Sequence, residues 1–87
     1  MVIRYDDHAE FQLERRGIAK SWVEETVLNP DETETRGGRR SFLKRLPGRR
    51  VMLRVVTARG DPESVITAYF DQGSELGLRT VYERGKG

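Results

Sequence analysis

Apolar residues along this chain change their period once, near residue 30. That change restricts the fold to helices first and strands afterwards. Asp7 followed by Glu10 has the spacing of a capping box, with Asp in place of Ser or Thr, and predicts a helix from about His8 to Arg16. Ala9 and Leu13 share one face of it, with Phe11 at the margin. Arg15 and Arg16 fall in the last turn, where cations meet the negative helix end. Gly17 suits the left-handed position after a helix, and Ile18 the apolar contact that follows it. Ser21 and Glu24 repeat the capping-box spacing, so a second helix is expected to begin between Ala19 and Ser21. Val23 and Val27, widened by Trp22 and Leu28, form its apolar stripe. Asn29-Pro30 stops it, because the residue before Pro avoids the α region.

Past Pro30 the chain is written in strands. Glu32 to Arg36 reads as a polar edge strand or a loop. Arg39 to Leu46, Arg50 to Ala58 and Ser64 to Asp71 are rich in β-branched and aromatic residues. Gly37-Gly38, Pro47-Gly48 and Gly60-Asp61-Pro62 divide them with strong turn signals, and such short connections imply an antiparallel meander. Val2 to Tyr5 is a short β-like piece. The expected fold is α+β: two N-terminal helices packed on one face of a three- or four-stranded antiparallel sheet, with the other face free for water or a ligand. Residues 2–71 form this single domain. Residues 72–87 are read as an extension, with a further strand at Leu78 to Glu83 and a frayed end.

A length of 87 residues allows one small domain. No apolar run is long enough to span a membrane, and the first residues have no signal-peptide pattern. With no Cys and one His, disulfides and structural zinc are excluded, and a cytoplasmic setting is expected. The net charge of +2 hides a segregation: residues 36–59 hold nine basic side chains and no acidic one, while both flanks are net acidic. Such asymmetry points to nucleic acid or another polyanion. Arg outnumbers Lys 13 to three, and the Arg fork grips phosphate with two hydrogen bonds where Lys offers a point charge.

Pairing the two central strands around Pro47-Gly48 sets Phe42 opposite Leu53 and Lys44 opposite Val51. Phe42, Lys44, Leu46, Val51, Leu53 and Val55 then share the core face, with Lys44 the exception in kind. Leu43, Arg45, Arg50, Met52, Arg54 and Val56 share the other. Three guanidiniums on one side of a hairpin repel one another unless an anion sits among them. In the third strand, Ile66, Ala68 and Phe70 are expected to face the helices, which leaves Thr67 and Tyr69 beside Arg54.

No phosphate-cradling Gly loop, nucleophilic Cys or metal-binding His pair is present. What remains is a set that works without metal or cofactor: His8, Arg16, Lys44, Arg45, Arg54, Thr67 and Tyr69. RNA needs no metal to be cut, because its own 2′-OH attacks the adjacent phosphorus. The enzyme supplies a base, an acid for the leaving oxygen and cations for the phosphorane charge. His titrates nearest neutrality, Arg provides the clamp, and Tyr stacks on a base or donates a proton. Each of these residues also has a purely structural use, as cap, dipole partner, edge charge or strand former.

His8-Ala9, Arg15-Arg16-Gly17-Ile18, Val23 and Asn29-Pro30, followed by Leu53-Arg54-Val55-Val56 and Val65-Ile66-Thr67-Ala68-Tyr69, resemble the domain-of-unknown-function 4258 family over about residues 3–71. That family is similar to bacterial toxins of the RelE/ParE type, within the barnase/colicin/RelE-like nuclease folds. The resemblance implies a metal-independent, toxin-like endoribonuclease, with His8, Arg16, Arg54 and Thr67 as the positions carried over. Gln12 departs from the pattern where relatives often have a basic residue. Ala19 stands where a capping Ser is common, a loss that Ser21 is expected to make good. Some relatives of this fold poison gyrase instead of cutting RNA, so fold does not settle activity.

The expected function is therefore an endoribonuclease with His8, Arg16, Arg54, Thr67 and Tyr69 as catalytic residues and Lys44, Arg45 and Arg50 binding RNA phosphates. The alternatives are a non-catalytic nucleic-acid module and a module that binds an acidic, antitoxin-like protein. The chain is expected to act as a monomer or weak dimer, away from membranes.

Overall fold

A computed structural model describes residues 2–48 and 51–71. The elements run β1 (Arg4–Tyr5), α1 (Asp7–Arg16), α2 (Lys20–Leu28), β2 (Glu32–Arg36), β3 (Arg39–Arg45), β4 (Met52–Ala58) and β5 (Asp61–Asp71). The loop, strand and frayed end expected over 72–87 lie outside the described residues, as does Arg50.

Asp6, not Asp7, caps α1: its carboxylate accepts the Ala9 N–H at 2.7 Å, which leaves Asp7 and Glu10 in the first turn to meet the positive helix end. The other end closes as expected. Gly17 adopts φ 68°, its N–H donates to the Glu14 carbonyl at 3.2 Å, and the Ile18 N–H donates to the Leu13 carbonyl at 2.9 Å. This pair of bonds is a Schellman closure, and it turns Ile18 into the core. Burial of Ile18 fixes where α2 starts. Ala19 takes the N-cap in an extended conformation with no side-chain bond, so Ser21 falls inside the helix and supplies no cap. Val23, Thr26 and Val27 form the buried stripe, spaced three and four apart, while Leu28 is exposed. Thr26 satisfies its buried hydroxyl by donating to the Trp22 carbonyl at 2.8 Å.

The strands form one five-stranded mixed sheet in the order β1-β5-β4-β3-β2. It exceeds the expected three or four antiparallel strands at both edges. Glu32–Arg36 is a strand, held to β3 by the Gly37-Gly38 turn. Gly37 has φ 59° and Gly38 no positive φ, the pattern of a II′ hairpin turn. At the opposite edge β1 pairs in parallel with Ser64 and Val65 of β5. Two residues are too few to carry a periodic signal, and their partner lies at the other end of the domain.

In the central hairpin Phe42 pairs with Val55 and Lys44 with Leu53. This register lies two residues from the expected one, because β3 ends at Arg45 and β4 begins only at Met52. A shift of two preserves the faces, since side chains alternate with period two. Phe42, Leu46, Leu53 and Val55 accordingly meet Ala9, Leu13, Ile18, Val23 and Val27 in the core. In β5 a bulge intervenes. Val56 pairs with Thr67 and Thr57 with Val65, so Ile66 has no opposite residue. Val65, not Ile66, therefore joins Ala68 and Phe70 on the helix side. α1 lies against β5, and α2 against β4 and β3.

The face turned away from the helices is not bare. Leu43, Met52 and Val56 are all buried there.

Candidate functional site

Arg16 is the last residue of α1, and the Schellman turn behind it fixes its exit from the helix. Its Nη1 donates to the Ala68 carbonyl at 2.8 Å and to Thr67 Oγ1 at 3.2 Å. Its guanidinium carbon stands 5.9 Å from the centre of the Tyr69 ring, within cation–π range. β1 covers β5 only at Ser64 and Val65, so Arg16 closes a stretch of the β5 edge that β1 leaves open. It thereby reaches from the helix layer to Thr67 and Tyr69, which register with Val56 and Arg54 on the opposite face. Among the described residues its Nε and Nη2 make no hydrogen bond, and it has no carboxylate partner. One side of the fork is held and the other is presented.

Arg54 faces Tyr69 across β4 and β5, and its side chain is only 15% exposed. Its Nη1 donates to Glu34 Oε1 at 2.7 Å and its Nε to Asp71 Oδ2 at 2.8 Å. Burial works against the Arg54 charge, but the hydrogen bonds to Glu34 and Asp71 outweigh it, and the pKa rises. Glu34 responds in kind: the hydrogen bond from Arg54 holds its carboxyl below the usual range, against a smaller opposing effect of burial. Of the expected triad, Arg54 has carboxylates beside it, and Arg50 lies outside the described residues. β2 and the end of β5 deliver two carboxylates to Arg54, a consequence of the Glu32–Arg36 strand.

Lys44 is also committed. Its Nζ donates to the Asn29 carbonyl at 2.9 Å, with Glu25 and Asp31 carboxylate oxygens each at 4.0 Å. A cation on the helix-side face is thus used to close the C-terminal end of α2. Arg45 is exposed on the opposite face, and its backbone N–H donates to Asp31 Oδ2 at 2.9 Å. His8 is exposed in the first turn of α1, eight residues before Arg16 and so about 12 Å from it along the helix axis.

Of the anticipated site residues, the structure brings together Arg16, Thr67, Tyr69 and Arg54. His8 and Lys44 stand elsewhere, and Arg45 shares the face of Arg54, one diagonal step along the β3–β4 register. Glu34 and Asp71 were missed as neighbours of Arg54. The alternation Glu32-Thr33-Glu34-Thr35-Arg36 held the signal for a strand with its charges on one side. Among the described residues, no group of three or more His, Cys, Asp or Glu side chains is placed to hold a metal. No helix there is long and apolar enough to cross a membrane.

No curated protein and no solved structure matches the chain. Residues 5–82 match a family described as Domain of unknown function (DUF4258), a span that begins in β1 and runs past the end of β5. The match covers most of the 87 residues and includes every element that holds Arg16, Arg54, Thr67 and Tyr69 in place; the chain belongs to the DUF4258 family.

Proposed function

We propose that this chain is a toxin-like endoribonuclease of RelE/ParE-type architecture that cuts RNA without metal. The observation that carries the reading is Arg16, anchored through one nitrogen to Thr67 and Ala68, beside Tyr69, with Nε and Nη2 left for an anion. A guanidinium held in this way needs no reorganisation to meet charge that develops on a phosphorane. In the reaction the RNA 2′-oxygen bonds to the adjacent phosphorus and the P–O5′ bond breaks. The 2′-OH proton passes to a base, and the 5′-oxygen takes a proton. Arg16 stabilises the phosphorane, Thr67 orients Arg16, and Tyr69 stacks on a base or protonates the leaving oxygen. Arg54 is a positioning residue here, because its Nη1 and Nε donate to the carboxylates of Glu34 and Asp71. His8, about 12 Å from Arg16 along the helix axis, contacts an RNA that lies along α1 but not the phosphate that Arg16 holds, where water serves as the base. The same open guanidinium suits a carboxylate from an acidic, antitoxin-like inhibitor.

A second reading, binding without cleavage, is favoured by the separation of His8 from Arg16. Purified protein incubated with single-stranded RNA and a chelator distinguishes the two. Cleavage to fragments with 2′,3′-cyclic phosphate ends, lost in R16A and reduced in Y69F, is the expected result. RNA that is bound but stays intact selects the second reading, and RNA neither bound nor cut overturns both.

A further inference from the structure

The nine cations of residues 36–59 do not share one fate. Lys44 and Arg54 are matched by carboxylates, whereas Arg36, Arg39, Arg40 and Arg59 gather at one end of the sheet. Arg36 and Arg39 are directly opposed across the β2–β3 turn, and Arg39 in turn faces Ala58. The β4–β5 turn is tied to that end: the Arg59 N–H donates to the Gly38 carbonyl at 3.0 Å and its Nη1 to the Gly37 carbonyl at 3.4 Å. Arg40 leans over the Phe42 ring, 5.7 Å from its centre. All four residues are exposed, and among the described residues none of them forms an ion pair. Asp61, the acid that pairs with Ala58 at the same end, is taken by Arg4.

Like charges directly opposite on a sheet are destabilising, and the Arg59 guanidinium on the tied neighbouring turn compounds the effect. An anion relieves it. Arg36 and Arg39 also register on the same face as Tyr69. Along β4, the partner of Arg39 is four residues from the partner of Tyr69, about 13 Å. From this geometry we infer that Arg36, Arg39 and Arg59 form a docking site for the phosphate backbone of single-stranded RNA, which runs from there toward Arg16 and Tyr69, while Arg40 lies on the helix-side face with Phe42. The inference rests on the RNA-binding part of the proposed function and adds a place for the strand that the carboxylate-bound Arg54 does not supply.

The test is fluorescence anisotropy of the full chain with a labelled oligouridylate in chelator, between about 50 and 200 mM salt. Each lost phosphate contact lowers the slope of log affinity against log salt by about 0.7 for a single strand. R36Q/R39Q is expected to lower it by about 1.4 and to weaken binding roughly tenfold at the low-salt end. R15Q/K20Q removes the same charge from the helix layer and is expected to change affinity less than about twofold. Thermal melting shows whether R36Q/R39Q remains folded; R59Q, with an expected slope change of about 0.7, repeats the test on the neighbouring turn. Wild-type affinity and slope in both tip variants, or an equal loss in R15Q/K20Q, overturns the site while leaving RNA binding intact. Tip-dependent binding without cleavage upholds the site and removes the nuclease reading. No binding by the wild type overturns both.

Discussion

Arg16 Nη1 lies 2.8 Å from the carbonyl oxygen of Ala68, so the last side chain of α1 closes the edge of β5. The contact has a structural and a chemical consequence. Replacing Arg16 with Ala frees a strand carbonyl to water, a loss of about 1 kcal/mol measurable by urea denaturation. Under the proposed function it also removes the cation that lies over the Tyr69 ring, with an expected fall in cleavage of about 100-fold. R16K should keep part of the charge effect without the fork, and an R16K rate equal to wild type would show that the fork is not used.

Gly17 sets where that arginine leaves the helix. Its φ of 68° is left-handed, and a Cβ there meets nothing within 4 Å, so the strain of a substitution is purely backbone. G17A is expected to cost about 1 kcal/mol by thermal or chemical denaturation. A neutral G17A would show that the turn relaxes to another closure.

Arg54 with Glu34 and Asp71 makes stability depend on acid. The pKa of Glu34 is lowered in the folded state, so the unfolded chain binds more protons in the range between the two values. Its contribution is complete above the ordinary carboxylate range near about 4.3 and is lost as pH falls through the depressed folded value. E34Q should flatten the acid side of the stability profile, read from melting temperatures across pH. R54M, which strands two carboxylates, should destabilise by about 2–3 kcal/mol at neutral pH. An R54M protein as stable as wild type would mean that water replaces the guanidinium at no cost.

Tyr5 provides the alkaline counterpart. Burial, reinforced by the nearby charges of Glu24 and Glu10, pushes its hydroxyl up to about 12. The hydroxyl oxygen is buried with no hydrogen-bond partner among the described residues. The unfolded chain ionises this group near about 10, so stability should be full below that pH and fall as pH rises through the folded value. Ultraviolet titration of wild type against Y5F should remove one late-titrating tyrosine. Y5F should also match or exceed wild-type stability at neutral pH, because no hydrogen bond is lost.

Much of the architecture was legible before any coordinates. The Arg16-Gly17-Ile18 helix end, the Asn29-Pro30 stop and the Gly37-Gly38 turn all act through a few adjacent residues, so short patterns announce them. Even with the register of β3 and β4 two residues off, Phe42, Leu53 and Val55 were assigned to the correct face, because alternation alone sorts a strand into sides. The position of the α1 cap, at Asp6 and not Asp7, turned on one residue of helix phase, and the absence of a cap from Ser21 on two, since Ala19 takes that place.

The chain's own order of residues determined two helices, then strands, and a block of cations in the middle. Tertiary structure decided how that block is spent. Parallel pairing of β1 and the bulge at Ile66 depend on partners in other strands, which no local pattern encodes. Charge follows the same logic, because a guanidinium is neutralised by whatever carboxylate the fold brings within reach. Arg54 met Glu34 and Asp71, Lys44 met the end of α2, and Arg36, Arg39, Arg40 and Arg59 were left together at one end of the sheet.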